Sequence, residues 1–313
     1  MSILRGTHLN STIGASTEGE VLLNCYQFFM VTAALIGNSI VLYFTTLCTA
    51  RHPKSAPVLL VLNLAVADLS LLVIVYLPKM LTLNASRWVL GSKLCHLAAF
   101  SQLVPGVVET VTLATITIYR WYTVRFPFRR VPGVSPTKVV ILLIWCVAIF
   151  SLGLFVTASS GRVVLNTNLC TALVELKDVY LTWLALFFLA ILPVTLTLVL
   201  NLYILVCTIW VTPSTPSYNK QAASTPLNKR SLVSSGCRPY NKRALGTVSA
   251  ACCLLVLSWT PYILGTLLPL PPWFYVSHHN LNLISLTFNP WLYAMTNRKL
   301  WRFLLKRTGR IEN

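Results

Sequence analysis

Seven runs of roughly 20 predominantly apolar residues, separated by short polar stretches, decide what this chain can fold into. Hydrocarbon offers no water to pair with backbone N–H and C=O groups, so spanning segments of this length have to be helices. The runs are 21–47, 58–76, 96–119, 139–158, 180–210, 244–268 and 276–295. The third is the least apolar, with Gln102, Glu109 and several threonines, as expected of a helix packed inside a bundle. The fifth exceeds a bilayer's thickness and is expected to tilt or to project beyond the membrane. Composition agrees, since 56% of the 313 residues are hydrophobic and 10% are charged, which is far from a soluble domain. The expected fold is an all-α membrane protein, a seven-transmembrane helix bundle in a lipid bilayer.

Basic residues set the orientation. One side of the membrane carries Arg51, Lys54, Arg125, Arg129, Arg130 and Lys138, then six bases between Lys220 and Arg243. The C-terminal tail adds six more between Arg298 and Arg310. The other side holds fewer bases, diluted by Glu18, Glu20, Glu175 and Asp178. The positive-inside rule therefore predicts an extracellular N-terminus and a cytosolic C-terminus, with the plasma membrane as the location. It also accounts for the net charge of +18 without nucleic acid, each base near an anionic leaflet contributing about 1 kcal/mol. The sequons at Asn10 and Asn84 both fall on the predicted outer face.

The predicted divisions are an extracellular tail over 1–20, the bundle over 21–297 with a third inner loop at 211–241, and 298–313 beyond it. Residues 298–306 read as a short amphipathic eighth helix, with Leu300, Trp301, Phe303, Leu304 and Leu305 toward lipid and the bases outward. The loop 211–241 is rich in Ser, Thr and Pro with scattered bases and no apolar period, and reads as a flexible, phosphorylatable linker. Phosphates there would favour an arrestin-like regulator.

Of nine cysteines, Cys95 and Cys170 are placed in the oxidising compartment, and a bridge between them would stabilise by on the order of 4 kcal/mol. The others (Cys25, Cys48, Cys146, Cys207, Cys237, Cys252 and Cys253) read as buried small apolar side chains, with no metal-ligand spacing.

Arg120 sits at the inner end of the third run, and Asn289-Pro290-Trp291-Leu292-Tyr293 near the inner end of the seventh. An arginine at that depth and a proline-broken helix are both costly unless they serve a bundle that changes shape. In sequence order, Gly37-Asn38, Asn63-Leu64-Ala65-Val66-Ala67-Asp68, Trp88, Gly91, Cys95, Arg120, Pro127, Trp145, Cys170, Pro193, Trp259-Thr260-Pro261 and Asn289-Pro290-x-x-Tyr293 make a specific set. Over nearly the whole chain this set resembles the rhodopsin-like (class A) G-protein-coupled receptors.

The resemblance implies a receptor that binds an extracellular ligand and activates heterotrimeric G proteins, with no covalent catalysis. It implies a mid-membrane polar cluster of Asp68, Asn38, Ser285 and Asn289, which in this family often holds a sodium ion; no other cofactor is implied. Trp259, before the kink at Pro261, would respond to ligand. Arg120 and Tyr293 would rearrange, with Asn289 and Pro290, to open a cytosolic cavity. The chain departs from the family pattern at Tyr119-Arg120-Trp121, where an acid usually precedes the arginine. Asn201 and Leu255 likewise stand where tyrosine and phenylalanine are common. Lost restraint on Arg120 predicts raised basal activity, whereas lost switch residues predict weak coupling.

Glu109 lies eleven positions, about three helical turns, before Arg120 and at the expected level of Asp68. Two carboxylates in a low-dielectric site do not both ionise cheaply, so one reading is a proton- or ion-sensitive switch. The other is a permanently protonated, hydrogen-bonding Glu.

The outer third offers Gln102, Tyr262, Thr266, Trp273, Tyr275, His279 and Asn282 as a mixed polar and aromatic lining. Of these, Gln102, Tyr262, Thr266, His279 and Asn282 are the candidate ligand contacts. Gln102 replaces the acid that amine receptors use, and Leu283 replaces the Schiff-base lysine of opsins. The lining resembles that of peptide receptors. A rival reading is a constitutively active or ligandless receptor-like protein that modulates a partner receptor. No internal repeat suggests a transporter, and no nucleophile or metal constellation suggests an enzyme.

Overall fold

Proline at the second position of a helix needs no backbone N–H there, and Pro57 starts the second span in that way just after Ser55. The structure, a computed structural model, describes residues 17–48, 55–82, 88–101, 103–126, 129–158, 163–166, 171–174, 184, 187–211, 242–267 and 272–296. Helix α1 covers Thr17–Tyr43 and ends in a wide π turn at Phe44–Cys48. It begins within the stretch expected to be tail. Helix α2 covers Ala56–Leu71 and passes through a π turn, Leu72–Tyr76, into α3 at Leu77–Thr82, making one rod. Helices α4 (Ser92–Ser101) and α5 (Leu103–Arg125) form the third span, and α6 is Val134–Ala158. A π turn at Phe187–Ile191 leads into α7, Leu192–Val211. Helix α8 is Lys242–Leu267 and α9 is Pro272–Thr296.

The helices close into a ring around α5. Helix α1 packs on α2 and α9, α9 on α8, and α8 on α7. Helix α5 packs on α2, α6 and α7 at once, which leaves little of it for lipid. This position explains its polar content. Among the described residues, four spans are long and apolar enough to cross a membrane on composition alone: 21–46, 56–81, 134–151 and 187–207. The remaining helices carry buried polar residues of their own, among them Glu109, Ser258, Ser285 and Asn289.

Leu71, Leu72 and Val75 pack with Met30, Val31 and Ala34 of α1 and with Leu283 and Leu286 of α9. Val107 and Val108 of α5 meet Ala67 of α2 and Ile144 and Ala148 of α6. The outside of the bundle is apolar instead, with Phe28, Phe29, Leu142, Phe150 and Leu202 exposed. Side chains of that size facing outward on several spans make a lipid belt, not a water-facing surface.

The bundle is helical, as expected. Beside it, an antiparallel hairpin pairs β1 (Val163–Asn166) with β2 (Thr171–Val174). A short extended chain pairs with itself where it leaves hydrocarbon, and apolar periodicity does not report that. Three sequence expectations need correction. Cys25, Cys146 and Cys253 are free but face outward rather than into the core, because a thiol is as compatible with lipid as with protein. Cys207 is disulfide-bonded, not a reduced packing residue, since which cysteines face each other across helices depends on helix rotation. The third concerns Asn38 and is taken up below. Asn10, Asn84, Gln102, Pro127, Cys170, the loop 212–241 and the eighth-helix stretch 298–306 lie outside the described residues.

Candidate functional site

Four polar side chains converge at mid-bundle. Asp68 on α2, Glu109 on α5 and Ser285 and Asn289 on α9 are all buried, the two acids being 1% and 3% exposed. Ser285 Oγ donates to Glu109 Oε1 at 3.4 Å, and Asn289 Nδ2 donates to the same oxygen at 3.3 Å. Asp68 feels the charge of Glu109 and has the Asn289 side chain beside it, but neither of its buried carboxylate oxygens has a well-aligned donor. A buried carboxylate left so is expensive and requires a proton, an ion or another partner. The cluster offers only oxygen donors toward an ion, which suits a hard cation such as sodium.

Asn38, expected in that cluster, bonds elsewhere. Its Nδ2 donates to Ala34 O at 3.0 Å and to Leu286 O at 3.1 Å. The second acceptor has a physical cause. Pro290 has no N–H, so the carbonyl four residues earlier, that of Leu286, loses its helical partner. Asn38 replaces that partner from α1. Gly37 beside it lets the proline ring approach, since a Cβ there would lie 2.8 Å from Pro290 Cγ. Gly37-Asn38 is therefore a clasp on the break in α9. Thr287 Oγ1 adds a bond to Met30 O at 3.1 Å, and Gln27 Nε2 one to Asn280 Oδ1 at 3.2 Å, both also joining α1 to α9.

A second polar chain ties three helices. Trp145 Nε1 of α6 donates to Asn63 Oδ1 of α2 at 2.8 Å, and Asn63 Nδ2 donates to Thr112 Oγ1 of α5 at 2.8 Å. Sequence reasoning missed Thr112, because a threonine in a helix more often bonds its own preceding turn. Asn201 of α7 likewise donates to Thr117 Oγ1 of α5 at 3.4 Å and to Thr197 O at 2.7 Å.

Trp259, half-buried on α8, packs with Leu64, Leu113 and Val194 and lies over Gly106 of α5. A Cβ at Gly106 would stand 3.6 Å from the indole, so the ring rests on bare backbone. Pro261, two residues on, is buried within α8.

At the C-terminal end of α5, Arg120 is half-buried and its carbonyl accepts from Thr123 Oγ1 at 2.7 Å. Trp121 turns to α7, edge-on to Tyr203 at 6.5 Å and to Phe126 at 5.8 Å. Arg125 and Arg129 lie over the Phe126 ring at 5.3 and 5.1 Å. Tyr293 packs against Val41 and Phe44 at the end of α1 and Ala65 of α2.

At the opposite end of the third span, Cys95 of α4 is buried and disulfide-bonded beneath Trp88. Trp88 Nε1 donates to Gly91 O at 2.8 Å, and Gly91 adopts φ +82°, which favours glycine. Of the expected ligand contacts, Asn282 is half-buried on α9. Tyr262 and Thr266 on α8 and His279 on α9 occupy helical positions, their side chains outside the described residues. Leu283 is 1% exposed in the α1–α2–α9 core.

Comparison with known proteins places this geometry. The squid rhodopsin crystal structure superposes over 93% of this chain and 85% of its own with a TM-score of 0.71 at 16% identity, a likeness of fold. The KiSS-1 receptor of Mus musculus is 29% identical over 118 residues, 37% of this chain and 29% of that protein. Neuropeptide FF receptor 2 of Mus musculus is 28% identical over 144 residues, 46% of this chain and 34% of that one. Melanopsin of Rutilus rutilus is 27% identical over 149 residues, 47% and 29% respectively. This chain thus aligns with about a third of the length of these curated relatives. The model of the 7 transmembrane receptor (rhodopsin family) matches residues 37–293, from the clasp glycine to the tyrosine near the end of α9. With the proline break, its clasp and the buried polar centre all inside that match, the chain belongs to the rhodopsin family of seven-transmembrane receptors.

Proposed function

We propose that this chain is a plasma-membrane receptor, N-terminus outside, that binds an extracellular peptide and activates heterotrimeric G proteins. The observation that carries it is the coupled centre. Trp259 of α8 rests on Gly106 of α5 and packs with Leu113, about two turns further along the same helix. The polar cluster, through Glu109, joins that helix to α9. Ligand pressure near Trp259 can therefore be passed through α5 and α9 to Arg120 and Tyr293 at the inner end. The ligand acts only by its preference for one arrangement over the other.

Two of the relatives are named as receptors for KiSS-1 and for neuropeptide FF, which supports a peptide. Helix α9 has no lysine, and Leu283 is sealed in the core, which argues against a retinal Schiff base. The orphaned Asp68 fits a sodium ion held with Ser285 and Asn289, a charge that would steady the resting bundle. Basic residues before α8 and along the inner loops would face the G protein, and a phosphorylated 211–241 loop an arrestin-like regulator.

The second reading, a receptor active without ligand, is favoured by Tyr119 standing where an acid would restrain Arg120. Basal G-protein activation in transfected cells at matched surface expression decides between them. A high basal signal that falls with Tyr119→Asp and vanishes with Arg120→Ala supports ligand-independent signalling. Silence in all three chains, broken in the unaltered one by members of a peptide library, supports the ligand-gated reading.

A further inference from the structure

We propose that Arg125, Phe126, Arg129, Arg130 and Lys138 form the headgroup site of one polyanionic membrane lipid, of the phosphorylated-inositol class, whose acyl chains lie along α6. The proposal rests on the chain spanning a bilayer, and on neither its extracellular ligand nor its G protein.

The connection from α5 to α6 carries a fixed aromatic platform. The Phe126 N–H donates to Tyr122 O at 2.9 Å, extending α5 by one residue, and the Arg129 N–H closes a turn on Phe126 O at 3.1 Å. The Phe126 ring stands edge-on to Trp121 at 5.8 Å and tilted against Tyr122 at 5.2 Å. Two guanidinium groups come onto that ring, Arg125 at 5.3 Å and Arg129 at 5.1 Å. The ring attracts both cations, and so holds together two like charges that would otherwise spread apart. They stand within about a Debye length of one another, roughly 10 Å at 0.1 M salt, so their fields add.

No carboxylate on the same elements neutralises the pair. The chain has no Asp or Glu between Glu109 and Glu175, which leaves α5 beyond Glu109 and the whole of α6 without an acid. Arg130 and Lys138 add to the charge, and all four bases are exposed. Four bases beside a spanning helix suit a headgroup with several negative charges. A phosphomonoester presents its oxygens to a guanidinium fork two at a time, whereas a lipid with one negative charge would leave most of the patch uncompensated.

The residues after Lys138 favour a lipid over a soluble phosphate. Val139, Val140, Leu142 and Leu143 are exposed, and α6 packs chiefly on α2 and α5. An apolar track for acyl chains therefore begins one residue beyond the last base.

The test holds the full chain in phosphatidylcholine nanodiscs and titrates dioctanoyl phosphatidylinositol 4,5-bisphosphate, with bound lipid counted by native mass spectrometry. Dioctanoyl phosphatidylserine at matched total charge is the comparison. The inositol lipid is expected to saturate near one per chain and to bind at least about tenfold more tightly than phosphatidylserine. Arg125→Gln and Arg129→Gln should each weaken it about fivefold. Lys93→Gln, which removes an exposed base at the opposite end of the third span, should leave it unchanged. Phe126→Leu keeps every charge but removes the platform, and should weaken binding about threefold. Equal binding of the two lipids by the unaltered chain would overturn the proposal without recourse to any variant. Indifference to Phe126→Leu would do so too, since binding would then follow diffuse charge alone. A chain carrying both Arg125→Gln and Arg129→Gln that keeps full lipid affinity but loses G-protein activation would assign the patch to the protein partner instead. Because lipid binding is read without any signal, its failure leaves the receptor reading intact.

Discussion

Gly37 shows how one missing side chain can set a helix interface. A Cβ there would meet Pro290 at 2.8 Å, closer than real Cβ contacts come, so either α1 or α9 must shift. Gly37→Ala should therefore destabilise by about 1–3 kcal/mol, the usual range for overpacking. A thermal midpoint in detergent equal to that of the unaltered chain would show that the clasp has slack. Trp145 makes a different kind of point, because its indole N–H completes the bridge to Asn63 and Thr112. Trp145→Phe keeps most of the packing but leaves Asn63 Oδ1 short of a donor, at an expected cost of about 1–2 kcal/mol. Addition of Asn63→Ala should then cost less than it does alone, and full additivity would mean that the bridge carries no coupling.

At the scale of an element, α9 is a helix broken by its own sequence and mended by its neighbour. Pro290 orphans the Leu286 carbonyl and Asn38 re-pairs it. Asn38→Ala alone should cost about 1–3 kcal/mol, the penalty of an unsatisfied buried carbonyl. In the background of Pro290→Ala the backbone N–H returns and the carbonyl is paired within α9, so the same Asn38→Ala should cost much less. Equal costs in both backgrounds, measured by thermal unfolding, would refute the clasp. The break also has a functional side, since a helix whose pairing is lent by another helix can exchange that pairing when it moves. Pro290→Ala is expected to stabilise the resting bundle while reducing any agonist-driven signal.

Across the whole molecule, an apolar belt surrounds a polar centre, the reverse of a water-soluble protein. Helix α5 touches most of its neighbours and carries Gly106, Glu109, Thr112, Thr117 and Arg120 along its length, so displacement at one end is felt at the other. The disulfide at Cys95 anchors its lead-in, α4. Cys95→Ala should lower stability by about 2–5 kcal/mol. An unfolding midpoint indifferent to the substitution would show that the bridge constrains little. Orientation is checked on intact cells, where an N-terminal epitope should stain without permeabilisation and a C-terminal one should not.

The apolar runs marked the helical bundle and the approximate limits of its spans, because burying backbone in hydrocarbon leaves no other solution for runs of this length. The residues of the polar centre were legible too: a carboxylate inside a 20-residue apolar run has few reasons to be there. What the sequence could not decide was which polar atoms meet. That depends on the rotation of each helix about its axis, and rotation decides whether Asn38 meets Asp68 or the Leu286 carbonyl. The same rotations put Cys25, Cys146 and Cys253 toward lipid, Thr112 under Asn63, and Trp259 on Gly106. Periodicity marks a helix's apolar content, but in a membrane both faces are apolar, so only packing against neighbours fixes which face looks inward.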